Sequence, residues 1–221
     1  METKDLRIKV LIDFDGTLFD SKEYKKVLNQ VLVNAGMKEE DVLREYENWK
    51  ISNNNHANPA AFALSLYDSD RYKKHFKVDR ESLSTSINEA VNSASKYLFK
   101  DSVSFLKGID RSKYQPIIFT FGNKEFQRLK IEACGLADLV EDVVYSESPK
   151  IGTIAGLVDS GESFIVIDDE MSYLKGVESN FPNARIFPID RYGKLGQGTE
   201  SLSEISDGFS RVPVENDLAR S

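Results

Sequence analysis

The sequence predicts an α/β fold in which a parallel sheet forms the core and an all-helical segment follows the first strand. Short apolar runs typical of buried strands alternate with helical patterns along most of the 221 residues. Residues 21–98, between the first run and the second, instead show helical patterns and no convincing strand. Because strands separated by helices pair in parallel, we expect a Rossmann-like parallel sheet core with an inserted all-helical cap.

Five apolar runs define the predicted strands, at residues 8–13, 115–120, 143–145, 163–168 and 184–189. Helical patterns separate the later runs, at residues 101–106, 124–134, 151–158 and 171–180. Turn-forming residues interrupt the inserted stretch at 35–37, 52–59 and 68–70. We therefore predict a core of residues 1–20 and 99–205, a helical cap of residues 21–98, and a flexible tail of residues 206–221, where the periodicity ends.

Composition and charge exclude several classes of protein. The chain has 29 Lys and Arg against 36 Asp and Glu, a formal net charge of -7, so we expect no nucleic-acid partner. No run approaches the roughly 18 apolar residues of a membrane span, and the first residues lack the apolar stretch of a signal peptide. A single cysteine, Cys134, fits a reducing compartment. We expect a cytoplasmic protein with no membrane partner, and the sequence carries no signal for oligomeric state.

The most specific motif is Asp13-Phe-Asp-Gly-Thr17, at the end of the first predicted strand. In extended backbone, residues two apart share a face, so the carboxylates of Asp13 and Asp15 can point to one place. Gly16 would then let the chain turn sharply and present its N–H to a ligand. The motif predicts a pair of functional carboxylates at the carboxyl end of a strand.

A second acidic motif, Asp168-Asp169, directly follows the apolar run of the fourth predicted strand. Adjacent like charges repel, so the pair needs a cation or solvent, although one member could instead cap the next helix. Hard oxygen ligands of this kind suit Mg²⁺, which is held by few carboxylates and keeps several waters. Together with Asp13 and Asp15, the pair predicts a magnesium site.

Polar residues also follow the second and third predicted strands. Thr120 offers a hydroxyl, and the turn that includes Asn123 offers N–H groups at a helix N-terminus, a combination suited to an anion. Lys150 offers a positive charge. Each of these residues alone is ordinary, but their order along the chain points to an anion site.

Taken in order, these residues resemble the haloacid dehalogenase (HAD) superfamily of phosphotransferases. Its motifs are an Asp-x-Asp-Gly-Thr strand end, a Ser or Thr strand end, a Lys and an acidic pair. The resemblance covers residues 6–20 and 97–205, and the inserted stretch has the location of a C1-type cap.

The resemblance implies a Mg²⁺-dependent phosphatase that acts on a small phosphorylated metabolite. Asp13 is the implied nucleophile, and Asp15 is the implied general acid and base. The implied metal ligands are Asp13, the main-chain carbonyl of Asp15, Asp168 and Asp169. The implied phosphate-binding residues are Thr120, Lys150, Gly16 and Asn123.

Several alternatives stay open at this point. Lys150 lacks the proline that commonly follows this lysine in the family and lies close in sequence to Asp168, so Lys124 is an alternative. Either member of the acidic pair could contact the metal directly. A sugar-phosphate mutase of the same fold and a non-catalytic binding protein with a vestigial site are alternative functions. A dehalogenase is disfavoured, because that branch needs no second acid at Asp15.

The substrate beyond its phosphate is not readable from the motifs. Candidate specificity residues in the cap are Lys22, Tyr24, Trp49, Asn54 and His56.

Overall fold

The computed structural model describes residues 7–53, 58–193, 196 and 198–209, with the backbone alone at Asp207. The candidate residues Asn54 and His56 lie outside this range, as does the chain beyond 209. The chain divides into two compact units. Of the described residues, the first unit contains 7–19, 99–120, 136–193, 196 and 198–209, and the second contains 20–53, 58–98 and 121–135.

A five-stranded sheet forms the centre of the first unit. Its strands are β1 (Ile8–Ile12), β2 (Tyr114–Phe121), β3 (Asp142–Ser146), β4 (Phe164–Asp168) and β5 (Ala184–Pro188). Their spatial order is β3-β2-β1-β4-β5, and β1 pairs in parallel with both β2 and β4, as β4 does with β5. The predicted α/β fold is confirmed, with each predicted strand present to within two residues at its ends.

The central strands show why their sequences are almost continuously apolar. All residues of β4 are buried, as expected for a parallel strand that is covered on both faces. β1 is buried except at Lys9, whose ammonium group reaches Glu162 at 3.1 Å. An unbroken apolar run therefore indicates a central position in the sheet.

The helices lie between the strands and in the inserted stretch. They are α1 (Ser21–Asn34), α2 (Glu39–Ser52), α3 (Pro59–Asp68), α4 (Arg80–Asn92), α5 (Ser102–Gly108), α6 (Lys124–Ala133), α7 (Lys150–Ile154), α8 (Met171–Asn180) and α9 (Leu202–Phe209). Within the described part of 21–98, helices and short 3-10 turns occur and no strand does. Across the described residues, none of these helices is both long and apolar enough to pass through a bilayer.

In the first unit, α7 and α8 pack on one face of the sheet. Ile154 of α7 and Leu174 of α8 belong to one buried cluster with Leu11, Phe119 and Val166 of the strands. α7 is shorter than predicted and ends at Ile154, because Gly152 and Gly156 are weak helix formers. This packing brings the first residue of α7 and the first turn of α8 to the carboxyl end of the sheet.

Part of the predicted tail is helical, because α9 continues through residue 209, and the rest of that prediction lies outside the described residues. Leu202, Ile205 and Phe209 form an apolar face with helical spacing, and all three are buried. The ring of Phe209 packs against those of Phe105 and Tyr114, with centroid distances of 6.0 and 5.1 Å. The prediction of a tail from residue 206 was therefore wrong for residues 206–209.

The second unit is helical and has its own core. Its buried cluster includes Leu32 of α1, Val42 of α2, Phe62 of α3 and Leu83 of α4. α6 groups with these helices in the second unit, although the cap was predicted as residues 21–98 alone.

Aromatic contacts explain the grouping of α6. The ring of Tyr24 stacks on Phe126 of α6 and lies against Tyr97, with centroid distances of 6.5 and 5.4 Å. Tyr24, named above as a candidate specificity residue, is only 2% exposed and packs against these two rings.

Candidate active site

The register of the sheet brings the two acidic motifs together. β1 and β4 pair in parallel with Ile12 opposite Ile167, so Asp13 and Asp168 leave neighbouring strands at the same edge. The N–H of Asp13 donates to the carbonyl of Ile167 at 2.9 Å and continues the pairing by one residue. Both aspartates are buried, at 7% and 3% exposure.

Lys150, the first residue of α7, joins these two carboxylates. Its ammonium group donates to Oδ1 of Asp13 and, at 2.8 Å, to Oδ2 of Asp168. The Lys150 side chain is only 10% exposed, whereas the alternative, Lys124, is exposed at the start of α6 in the second unit. The contacts with Asp13 and Asp168 favour Lys150 as the lysine of the site.

Asp169 lies against the turn that follows Asp13. A Cβ atom placed on Gly16 would be 2.3 Å from Oδ2 of Asp169, and Gly16 has a φ of +91°. The positive φ favours glycine here, and a Cβ would force the Asp169 carboxylate to move.

The N–H of Gly16 does not have the predicted role. It donates to the carbonyl of Phe19 at 2.8 Å within the turn. The expectation that this N–H faces a ligand was therefore wrong, because the tight turn satisfies it internally. Gly16 serves the site by letting Asp169 approach.

Three carboxylates and one ammonium group leave this locus negative. Oxygens of Asp13, Asp168 and Asp169 lie within 4.8 Å of one another. Burial raises the pKa of Asp13 well above its usual value, and Asp168 and Asp169 add to this against the opposing effect of Lys150. Burial, and next the charge of Asp168, raises the pKa of Asp169 to about 6. For Lys150, burial acts to lower the pKa, but Asp13 and Asp168 raise it more.

This donor set fits a divalent cation. Carboxylate oxygens are the ligands that Mg²⁺ prefers, and the cluster has three within reach of one ion. Oδ2 of Asp13 is buried and has no hydrogen-bond partner in the described part of the chain. A cation would satisfy this oxygen and offset the burial and the mutual repulsion that raise the pKa values of Asp13 and Asp169. The side chain of Asp15 is not in the cluster, and its predicted contribution is its main-chain carbonyl.

The remaining predicted residues occupy different positions. Thr120 is 1% exposed, and within the described residues its buried Oγ1 has no hydrogen-bond partner. Asp15 is half-buried and forms an isolated bridge with Phe19. Asn123 belongs to the second unit, where its side chain accepts from the N–H of Phe126 at 3.0 Å and caps α6. Its contact with a phosphoryl group stays a prediction.

Sequence reasoning missed an aromatic contact with Lys150. The Lys150 Nζ lies 5.1 Å from the ring centroid of Tyr173 and 5.6 Å from that of Phe119. Tyr173 lies in the first turn of α8, shortly after the acidic pair, but no pattern in the sequence links it to Lys150.

A partly buried ion pair that was also missed supports the turn after β1. Arg191 donates to the carbonyl of Thr17 from Nε and Nη2, at 3.1 and 3.0 Å. It also pairs with Asp101, whose Oδ1 lies 2.7 Å from Nη2. These residues are far apart in sequence, and no motif linked them.

Comparison with known proteins identifies the class of protein. The family model described as haloacid dehalogenase-like hydrolase matches residues 10–157, more than half of the chain. The chain therefore belongs to the haloacid dehalogenase-like hydrolases. No curated protein sequence is significantly similar to it.

Solved structures share the fold at low sequence identity. A haloacid dehalogenase-like hydrolase from Burkholderia xenovorans is 16% identical, with a TM-score of 0.70 and coverage of 93% of this chain and 97% of that one. The HAD-hydrolase YfnB from Bacillus subtilis, bound to magnesium, is 13% identical with a TM-score of 0.59, covering 91% and 97%. L-2-haloacid dehalogenase from Xanthobacter autotrophicus, with chloropropionic acid covalently bound, is 14% identical with a TM-score of 0.53, covering 85% and 79%.

Proposed function

We propose that this hydrolase is a Mg²⁺-dependent phosphatase that cleaves a small phosphorylated metabolite through an aspartyl phosphate on Asp13. The observation that carries the proposal is the charge of the locus, where Asp13, Asp168 and Asp169 outnumber the single ammonium group of Lys150. Buried carboxylates in excess of their partners are costly unless a cation joins them. The magnesium found in YfnB supports the same proposal.

The proposed reaction has two steps, and both Asp13 and Asp15 take part in each. An oxygen of Asp13 bonds to phosphorus while the bond from phosphorus to the ester oxygen breaks, and Asp15 gives a proton to the leaving alcohol. Asp15 then takes a proton from water, whose oxygen bonds to phosphorus as the bond to Asp13 breaks. Inorganic phosphate leaves, and both carboxylates return to their first state.

The other residues of the site would bind the metal ion and the phosphoryl group and neutralise the charge of the phosphoryl oxygens. Asp13, Asp168, Asp169 and the main-chain carbonyl of Asp15 would hold Mg²⁺, which supplies positive charge for the phosphoryl oxygens when bound. Lys150 and the hydroxyl of Thr120 would contact those oxygens.

We further propose which part of this phosphatase selects the substrate and in which compartment it works. The helical unit would serve as a C1-type cap that selects the substrate. The single cysteine fits a cytoplasmic setting, and the formal net charge of -7 argues against a nucleic-acid partner.

A haloacid dehalogenase is the second candidate, favoured by the covalent chloropropionic acid in the Xanthobacter neighbour. That chemistry expels a halide, which needs no proton on leaving. Asp15 and the excess of carboxylates around Asp13 would then have no role in the reaction. We therefore rank phosphoryl transfer first.

The test compares both activities in one preparation. We expect hydrolysis of p-nitrophenyl phosphate with Mg²⁺, its loss in excess EDTA, and no halide release from 2-chloropropionate. Asp13→Asn should abolish the hydrolysis, because it removes the attacking charge and a metal ligand together. Glu170→Gln is the control, since this exposed carboxylate next to Asp169 is outside the cluster.

Halide release without Mg²⁺, or near wild-type turnover by Asp13→Asn, would contradict the proposal. Analysis of the products separates a phosphatase from a mutase, because only the phosphatase releases inorganic phosphate in step with the alcohol.

A further inference from the structure

The hydrogen bonds of Lys150 leave one donor uncommitted. An ammonium group has three N–H donors. Two of them are directed to Oδ1 of Asp13 and Oδ2 of Asp168. In the described part of the chain, no acceptor receives the third. A bound oxyanion would be its natural partner.

Aromatic rings flank the same ammonium group. The centroids of Tyr173 and Phe119 lie 5.1 and 5.6 Å from Nζ, within the range in which a ring face attracts a cation. A ring offers this attraction without a strong hydrogen-bond acceptor, so the third N–H is not consumed. It also adds no negative charge to a locus that already has three carboxylates.

The two rings differ in what else they do. Phe119 is 1% exposed in β2 and is part of the buried core under the site. Tyr173 is half-buried at the start of α8, and within the described residues its hydroxyl has no hydrogen-bond partner. Its ring is therefore the part of Tyr173 that contacts Lys150.

We propose that Tyr173 is a positioning residue, whose ring holds the Lys150 ammonium group at Asp13 and Asp168 and leaves one N–H for an oxygen of the substrate phosphoryl group. The proposal rests on the proposed phosphatase function. It adds a residue that acts on the substrate only through Lys150.

The first experiment separates the ring from the hydroxyl. Tyr173→Phe should keep kcat/KM for p-nitrophenyl phosphate within about 2-fold, whereas Tyr173→Leu should lower it roughly 5- to 30-fold, the size of a partly desolvated cation–π contact. The inhibition constant of inorganic phosphate should rise by the same factor in Tyr173→Leu. Ser172→Ala, an exposed neighbour on α8, is the control. If Tyr173→Leu does not fold, Tyr173→Met repeats the test with an adaptable side chain.

A double-substitution cycle tests whether Tyr173 acts through Lys150. In a Lys150→Ala background, Tyr173→Leu should cause no further loss of phosphate binding. Equal losses in both backgrounds would overturn the proposal, as would a Tyr173→Phe variant as damaged as Tyr173→Leu.

A third readout does not depend on phosphatase activity. The ε-methylene protons of Lys150, assigned with Lys150→Arg, should show an upfield ring-current shift in the NMR spectra of the wild type and Tyr173→Phe. Tyr173→Leu should lose the part of the shift that Tyr173 causes and keep only the part that Phe119 causes. Absence of this shift in the wild type refutes the aromatic contact, whereas its presence without phosphate hydrolysis refutes only the proposed function.

Discussion

Gly16 determines where the carboxylate of Asp169 can lie. The turn after β1 gives Gly16 a φ of +91°, and its Cα faces Asp169 so closely that a Cβ would be 2.6 Å from the carboxyl carbon. The flexible end of an aspartate could move away from such a Cβ, but only by leaving the place where it faces Asp13 and Asp168. The absence of a side chain at Gly16 therefore determines the position of one carboxylate of the proposed metal site.

Gly16→Ala should weaken Mg²⁺ binding more than folding. We expect the Mg²⁺ concentration for half-maximal activity to rise roughly 10- to 100-fold, as is typical when a metal ligand loses its support. The loss of stability from the unfavourable φ should be about 1–2 kcal/mol. The Mg²⁺-induced shift of the melting temperature measures the binding without using activity.

Gly108→Ala is the matched control, because Gly108 ends α5 with an ordinary φ and no atom within 4 Å of an added Cβ. It should leave the Mg²⁺ requirement unchanged. An equal requirement for Mg²⁺ in Gly16→Ala and Gly108→Ala would show that the turn does not position Asp169.

At the scale of the elements, the ion pair of Arg191 and Asp101 ties together three segments of the first unit. Arg191 follows β5, Asp101 precedes α5, and the carbonyl that Arg191 contacts belongs to Thr17, the last residue of the Asp13 motif. The N–H of Leu202 also donates to Asp101 at 2.9 Å. The turn that bears Asp15 is thus supported from outside the site.

The pH dependence of stability should reveal this ion pair. Burial acts to raise the pKa of Asp101, but the hydrogen bonds from Arg191 and Leu202 lower it more, so it lies below its usual value. The stabilisation is then complete above the unfolded pKa of about 3.9 and is lost as pH falls through the folded value. We expect Asp101→Asn to cost about 2–3 kcal/mol at pH 7 and much less near pH 3, measured by urea unfolding.

Asp68→Asn provides the comparison at the surface. Asp68 also pairs with an arginine, Arg80, but both side chains are more than half exposed, at 54% and 55%. Exposed pairs contribute about 0–1 kcal/mol, so this variant should show almost no dependence on pH. A similar response in both variants would contradict the role of the partly buried pair.

The accuracy of the sequence predictions differs between strands and long-range contacts. The strands were predictable because each buried strand is a short apolar run, and the acidic residues that end β1 and β4 marked the site. The contact between Asp101 and Arg191 was not predictable, because residues so far apart along the chain produce no periodic pattern. The N–H of Gly16 was misassigned because its acceptor, Phe19, depends on how the turn closes.

At the scale of the whole molecule, the second unit is assembled from two separate stretches of chain. α6 lies between β2 and β3 in sequence but packs with α4, and Phe126 stacks on Tyr24. The sequence predicted this helix correctly but could not assign it to a unit, since its amphipathic pattern does not specify which elements it contacts.

Phe126→Ala should loosen the second unit selectively. Phe126 is 8% exposed, and truncation of a buried phenylalanine costs about 3–5 kcal/mol. Amide hydrogen exchange should accelerate in α1 and α4 more than in β1 and β4 if the units open separately. Phe164→Ala, in β4 of the first unit, should give the opposite pattern, and uniform acceleration in both variants would show a single cooperative unit.

The central position of β1 has a consequence for synthesis on the ribosome. Ile8 pairs with Tyr114, which is added more than a hundred residues later. At about 5–20 residues per second, β1 waits roughly 5–20 s for its first partner strand. An apolar strand without a partner is prone to pair with other chains.

Lys9 is the charged residue within that strand. A charge inside an apolar strand discourages pairing between nascent chains. Once β4 has joined the sheet, Glu162 lies 3.1 Å from the ammonium group and neutralises it. Lys9 therefore places a charge in the strand while it has no partner and forms an ion pair when the fold is complete.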